Sequence, residues 1–147
     1  MSPLIPYWQA TKAFVRGYRL AGVAAENAHL QVYNPLTSGK VINIYGMLIG
    51  IAGSVEIIGT TYDTALTTLV GAGTCQYLGK PAGLGQLRQL SNASILGTET
   101  FSFSANTNSP PGGFIPLSIL LDPGKGFVMV NRTQNSELVG TFFWLEF

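Results

Sequence analysis

Apolar and polar positions alternate with a period of two through most of this chain, and clusters of Gly, Pro, Asn, Asp and Ser interrupt them. The alternation predicts strands at Lys12–Leu20, Ala28–Tyr33, Val41–Ala52, Val55–Tyr62, Thr98–Ser104, Ile115–Leu121, Phe127–Asn131 and Leu138–Phe147. In Ala28–Tyr33, Leu30 and Val32 face one way, and His29, Gln31 and Tyr33 the other. In Val41–Ala52, strict alternation puts Gly46 and Gly50 on the face of Ile42, Ile44 and Leu48, where glycines signal a bend or close approach by another backbone. Turn chemistry marks Asn34–Lys40, Gly53-Ser54, Asn106–Gly113, Asp122–Gly126 and Thr133–Ser136. Thr64–Val70 reads equally as a short helix or a strand, and Gly71–Gly85 reads as loop. Leu87–Leu96 reads as two short strands flanking Ser91-Asn92.

Eight to ten short strands at regular spacing, with no amphipathic helix beyond two turns, predict an all-β fold. The expected architecture is an antiparallel, jelly-roll-like β-sandwich. No internal repeat or composition break divides the chain, so residues 1–147 read as one domain. Residues 1–11 form an expected extended arm. Pro3 and Pro6 suit an extended path, and Leu4, Ile5, Tyr7 and Trp8 suit an anchor on a neighbouring subunit.

The last strand is apolar on both faces. One carries Leu138, Gly140, Phe142, Trp144 and Glu146; the other carries Val139, Thr141, Phe143, Leu145 and Phe147. A lone antiparallel sandwich buries one face of a strand and wets the other. One face is therefore expected to meet the core and the other a neighbouring subunit. Thr141 tips the assignment, making Thr141, Phe143, Leu145 and Phe147 the candidate interface.

Composition sharpens this picture. Charged residues make up 10% of the chain and net charge is +1, against about 25% charged in ordinary domains. A free monomer with so few charges disperses poorly, whereas a subunit covered by neighbours does not meet that problem. A homo-oligomer is expected. The basic residues are scattered apart from Lys12, Arg16 and Arg19, so no basic stripe suggests a nucleic-acid partner. Val41–Gly59 is the most apolar stretch, but Asn43, Ser54, Glu56 and its glycines argue for two strands and a turn, not a membrane span. The N-terminus lacks a basic region followed by an apolar run, so no secretory signal is expected.

No constellation for catalysis stands out. One cysteine, Cys75, excludes an internal disulfide and a cysteine zinc site within the chain. The only histidine, His29, lies in a strand pattern and not in a catalytic motif. No Gly-Lys pair continues into the Ser or Thr of a phosphate-binding loop. Glu56, Asp63, Glu99, Asp122, Glu137 and Glu146 supply carboxylates for a glycan hydrolase, but nothing in their spacing singles out a pair. Tyr7, Trp8, Tyr33, Tyr45, Tyr62, Tyr77 and Trp144 offer stacking faces for a sugar or, equally, core and interface packing. Asn92-Ala-Ser94 and Asn131-Arg-Thr133 read as chance matches to glycosylation acceptors. The expectation is a non-enzymatic protein with no cofactor and no bound metal.

Two segments carry a resemblance. Asn34-Pro-Leu-Thr-Ser-Gly-Lys40 leading into Val-Ile-Asn-Ile is one; Ile119-Leu-Leu-Asp-Pro-Gly-Lys-Gly-Phe-Val128, with the closing Phe-Phe-Trp-Leu-Glu, is the other. Together they resemble small virion structural proteins of tailed bacteriophages, the head decoration (cement) or fibre-like proteins built on jelly rolls. The resemblance covers the middle and last thirds of the chain. It implies a trimer in the virion, assembled in the host cytoplasm, whose partners are its own copies and the major capsid protein or other virion proteins. The alternative it leaves open is a receptor- or carbohydrate-binding module of a tail or fibre. It implies no catalytic or ligand residues, and Gly71–Gly85 has no counterpart in it.

Overall fold

The computed structural model describes residues 10–51, 55–105 and 114–147. Strands β1 (Ala13–Leu20), β2 (Asn27–Tyr33), β3 (Ile42–Ile51) and β4 (Val55–Thr61) open the fold. Three shorter or added strands follow: β5 (Thr68–Ala72), β6 (Thr74–Cys75) and β7 (Gln86–Asn92). The chain closes with β8 (Thr98–Ala105), β9 (Phe114–Leu121), β10 (Gly126–Asn131) and β11 (Leu138–Glu146).

The pairing is nested. β4 pairs β8, β3 pairs β9, β2 pairs β10 and β1 pairs β11, all antiparallel. A long ladder of that kind, rolled up, distributes its strands alternately between two sheets, which is the jelly-roll winding. The result is a five-stranded sheet ordered β6-β1-β11-β3-β9 and a six-stranded sheet ordered β5-β7-β2-β10-β4-β8. We call these sheet A and sheet B. Between them lies a core that includes Trp144, Phe127, Phe142, Leu30, Ile42, Ile44, Met47 and Met129, each fully buried. Burying each such side chain contributes about 1.5–3 kcal/mol.

β3 does not keep strict alternation. Its registers with β11 and β9 both shift beside Tyr45: there β3 has one residue more than β11, and β9 one more than β3. Such a bulge inverts the facing of everything beyond it. Ile42 and Ile44 face the core before it and Met47 after it. Gly46 thereby joins the outer face, where the Phe114 ring lies over it so closely that a β-carbon would overlap the ring. What approaches Gly46 is the Phe114 ring and not another backbone, and Gly46 does not share the face of Ile42 and Ile44.

Two other expectations change. β7 is one continuous strand through Ser91 and Asn92, because Ala28 and Asn27 of β2 supply partners to the end of the ladder. The chain turns at residues 93–97 instead. Thr64–Val70 divides into a loop and the start of β5: Gln31 Oε1 accepts the Leu66 N–H at 2.8 Å and holds the first half out of any sheet. Of the expected arm, Leu4, Ile5, Tyr7 and Trp8 lie outside the described residues, and Ala10 and Thr11 lie in a turn leading into β1.

Gly71–Gly85 is ordered by what it covers. Gly73, Gly83 and Gly85 run against Trp144 and Phe14, with no room for a side chain at any of the three. Glu146, 7% exposed, clamps the segment: it accepts the Gly85 N–H at 2.8 Å, the Leu84 N–H at 3.0 Å and the Trp144 indole N–H at 3.1 Å. Three donors on one carboxylate satisfy the cost of burying it.

Candidate functional site

The outer faces of the two sheets differ, and the difference locates the candidate surface. Sheet B is sealed by its own chain. The connections at 62–67 and 93–97 lie over it, and Ile58, Leu66, Val128 and Val130 form a second buried cluster there with Tyr62, Leu90, Ile95 and Leu96. Two neighbouring outward positions of β2 pin these connections. Gln31 Nε2 donates to the Tyr62 and Thr64 carbonyls at 2.9 and 3.0 Å, and its Oε1 holds Leu66. His29 Nε2 accepts the Leu96 N–H at 3.2 Å while Nδ1 meets the Asn27 carbonyl at 2.8 Å.

Sheet A carries no such cover among the described connections. Its registers define rows across the face: Gly17–Thr141–Leu48–Phe114, then Val15–Phe143–Gly46–Pro116. Neither row contains a charge, and Arg19, paired with Glu137 at 3.1 Å, marks the border. Phe143 anchors the centre, half-buried between the rings of Phe114 (centroids 5.7 Å apart) and Tyr45 (6.1 Å). The Tyr45 hydroxyl accepts from Gln76 Nε2 at 2.6 Å, and burial raises its pKa. Leu120, 68% exposed, stands at the β9 edge of the same face.

The face assignment of β11 is therefore clear. Leu138, Gly140, Phe142 and Trp144 are buried against the core. Thr141 is half-buried and packs on Gly17. Leu145, flanked in the ladder by Ala13 and Asn43, is only 8% exposed in the single chain, so it offers little to a partner. Asn43 Oδ1, in that same row, is buried with no hydrogen-bond partner. Phe147 stands apart from the Phe143 cluster: it is 49% exposed, under Lys12 Nζ at 5.7 Å, at a cavity of about 200 Å³ shared with Lys40 and Glu146.

Five of the six candidate carboxylates are otherwise engaged; Glu137 holds Arg19. Asp63 pairs Lys125 at 2.8 Å, and Arg132 lies between Glu56 (2.9 Å) and Glu99 (3.2 Å). Glu146 is the loop clamp described above. Cys75 is buried, its Sγ 3.4 Å from the Ala10 carbonyl. Asn131 is buried and bonded to Glu137 and Thr133, so its match to a glycosylation acceptor has no exposed amide. Trp144 is fully buried and offers no stacking face. Among the described residues, no group of three or more His, Cys, Asp or Glu could hold a metal, and no helix is long and apolar enough to cross a membrane. An open groove of about 360 Å³ lies between the edge strands β8 and β9, lined by Phe101, Phe127, Leu117 and Ile119 with Thr and Ser hydroxyls.

Sequence reasoning reached Phe143 and Thr141 as interface candidates and Tyr45 only as one of several aromatic faces; it set Leu48 with Ile42 and Ile44, and did not single out Phe114 or Leu120. The charge-free outer sets of β3 and β9 were the available signal, and the bulge at Tyr45 scrambles the first of them. Protein-family models, curated proteins and solved structures yield no match to this chain.

Proposed function

We propose that this jelly roll is a non-enzymatic structural subunit that assembles with its own copies, as a trimer, and decorates or cements a phage head. The observation that carries the reading is the asymmetry of the sandwich. Sheet B is closed over by its own connections, while sheet A presents a charge-free face centred on Phe143, Tyr45 and Phe114. A half-exposed, charge-free apolar face of that kind suits an interaction site on a protein otherwise poor in charge. The resemblance of the Asn34–Lys40 and Asp122–Gly126 segments supplies the virion setting.

Multi-angle light scattering at micromolar concentration, with quantification of the subunit on purified particles, tests this. A mass of three subunits and high copy number on heads are expected. A stable monomer that also fails to bind heads would overturn the proposal, and sugar binding confined to tail tips would replace it with receptor recognition.

A further inference from the structure

The two connections that seal sheet B are held by different chemistry. Gln31 pins 62–67 through an amide, which does not titrate. His29, two residues earlier on the same outward face of β2, pins 93–97 through an imidazole. Leu96 is the residue held, at both of its backbone groups: its N–H by His29 Nε2, its carbonyl by Thr60 Oγ1 at 2.8 Å. His29 is wholly buried. With Nδ1 donating to the Asn27 carbonyl and Nε2 accepting from Leu96, the ring is the neutral Nδ1–H tautomer.

We infer that residues 93–97 are an acid-released lid: one proton on His29 frees the connection and uncovers the apolar face beneath Ile95 and Leu96, while 62–67 stays pinned. A proton on Nε2 turns the acceptor into a donor aimed at the Leu96 N–H. The hydrogen bond is lost, two donors are opposed, and a cation is left in an apolar site.

The surroundings offer that cation no free carboxylate; the groups that favour it are the backbones of Asn27 and Leu90. Leu90 of β7 and Val130 of β10 lie opposite His29 in the ladders. On β7 the charged group is Arg88, opposite Gln31, whose guanidinium donates to Gln86 and the Leu66 carbonyl. Residues 93–97 and β10 carry no charged side chain. Glu56 of β4 and Glu99 of β8 are engaged by Arg132, and Asp63 of the 62–67 connection by Lys125. Burial accordingly lowers the pKa of His29, against the smaller opposing effect of its backbone hydrogen bonds. The sign follows: the released state binds a proton more readily than the closed one. Opening is independent of pH above the ordinary histidine value of about 6.5 and rises up to tenfold per pH unit below it.

Hydrogen–deuterium exchange from pH 8 to pH 5, corrected for intrinsic amide chemistry, tests this alongside NMR of the imidazole, whose signals are unique because the chain has one histidine. The expected result is progressive loss of Leu96 protection below about pH 6.5, with 62–67 and β11 still protected and the neutral Nδ1–H tautomer at pH 7.5. His29→Gln, which offers an acceptor that does not titrate, should abolish the pH dependence. If it does not fold, the wild-type exchange and NMR profiles decide alone. Protection of 93–97 that is independent of pH overturns the inference. So does its loss in step with 62–67, or a His29 that titrates at or above the ordinary value.

Discussion

Replacing Phe143 and Trp144 separately by Asp distinguishes the two faces of β11, because the adjacent side chains meet opposite surroundings. Trp144 is fully buried, and its indole donates to Glu146. Truncating a buried Trp costs about 3–5 kcal/mol. A carboxylate left in that space, next to the Glu146 carboxylate, adds several kcal/mol more unless it takes up a proton. The sum is comparable with the whole stability of a domain, about 5–15 kcal/mol, so Trp144→Asp should not fold. Phe143 is different. Its loss removes two aromatic contacts, with Tyr45 and Phe114, worth about 0.5–1.5 kcal/mol each. The new carboxylate stays in water on a monomer. A folded Phe143→Asp subunit is expected, weakened by about 1–3 kcal/mol on that aromatic estimate. In an assembled face the same charge must be desolvated, so the oligomer should dissociate. Circular dichroism and urea titration read folding; light scattering reads assembly. The reasoning fails if Phe143→Asp unfolds as Trp144→Asp does, or if it remains fully oligomeric.

Glu146→Ala should leave the Gly85 and Leu84 N–H groups and the Trp144 indole without an acceptor. At about 1–3 kcal/mol for each buried donor left unsatisfied, urea titration should show a loss of several kcal/mol, and exchange protection should fall first at residues 83–85. Asn34→Ala should cost about 1–3 kcal/mol for the Lys40 and Leu121 carbonyls left without the Nδ2 donor. Thermal unfolding would check it, with β2–β3 exchange rising before that of β11.

The period-two pattern was a sound guide wherever a strand stayed regular. β11 keeps its parity from Leu138 to Trp144, so its two sets are those of the sequence, while which set meets the core rests in the sequence on Thr141 alone. β3 defeats the same rule because a bulge at Tyr45 leaves no mark in the pattern: Ile-Asn-Ile-Tyr-Gly-Met-Leu-Ile is apolar in both parities. Facing there is decided by the neighbours β11 and β9, not by β3. The charge-free rows of sheet A were correspondingly half-legible, with Phe143 placed on the face and Tyr45, Leu48 and Phe114 not. In the sequence, residues 87–96 read as two strands because Ser91-Asn92 has turn chemistry, yet β2 extends far enough to keep both residues in the ladder.

The connections behave in the opposite way, and side-chain amides and one carboxylate explain why. Asn34 is buried. Its Nδ2 donates to the Lys40 and Leu121 carbonyls at 2.7 and 2.9 Å, its Oδ1 accepts from Ser38 Oγ at 2.6 Å, and its own carbonyl accepts the Gly124 N–H at 2.7 Å. The turn at 34–40 and the turn at 122–126 are therefore one hydrogen-bonded unit, although 87 residues separate Asn34 from Leu121. A single structural requirement therefore shapes both turns. Gly71–Gly85 has no such local signature. Its shape is set from outside, by Glu146 and Trp144 at the far end of the chain, and Gly73, Gly83 and Gly85 record only that their backbone passes close to Trp144, Phe14 or Glu146. A segment whose partners lie in its own turn can be read from its residues. One whose partner is a strand some sixty residues away becomes legible only once β11 is in place beside it.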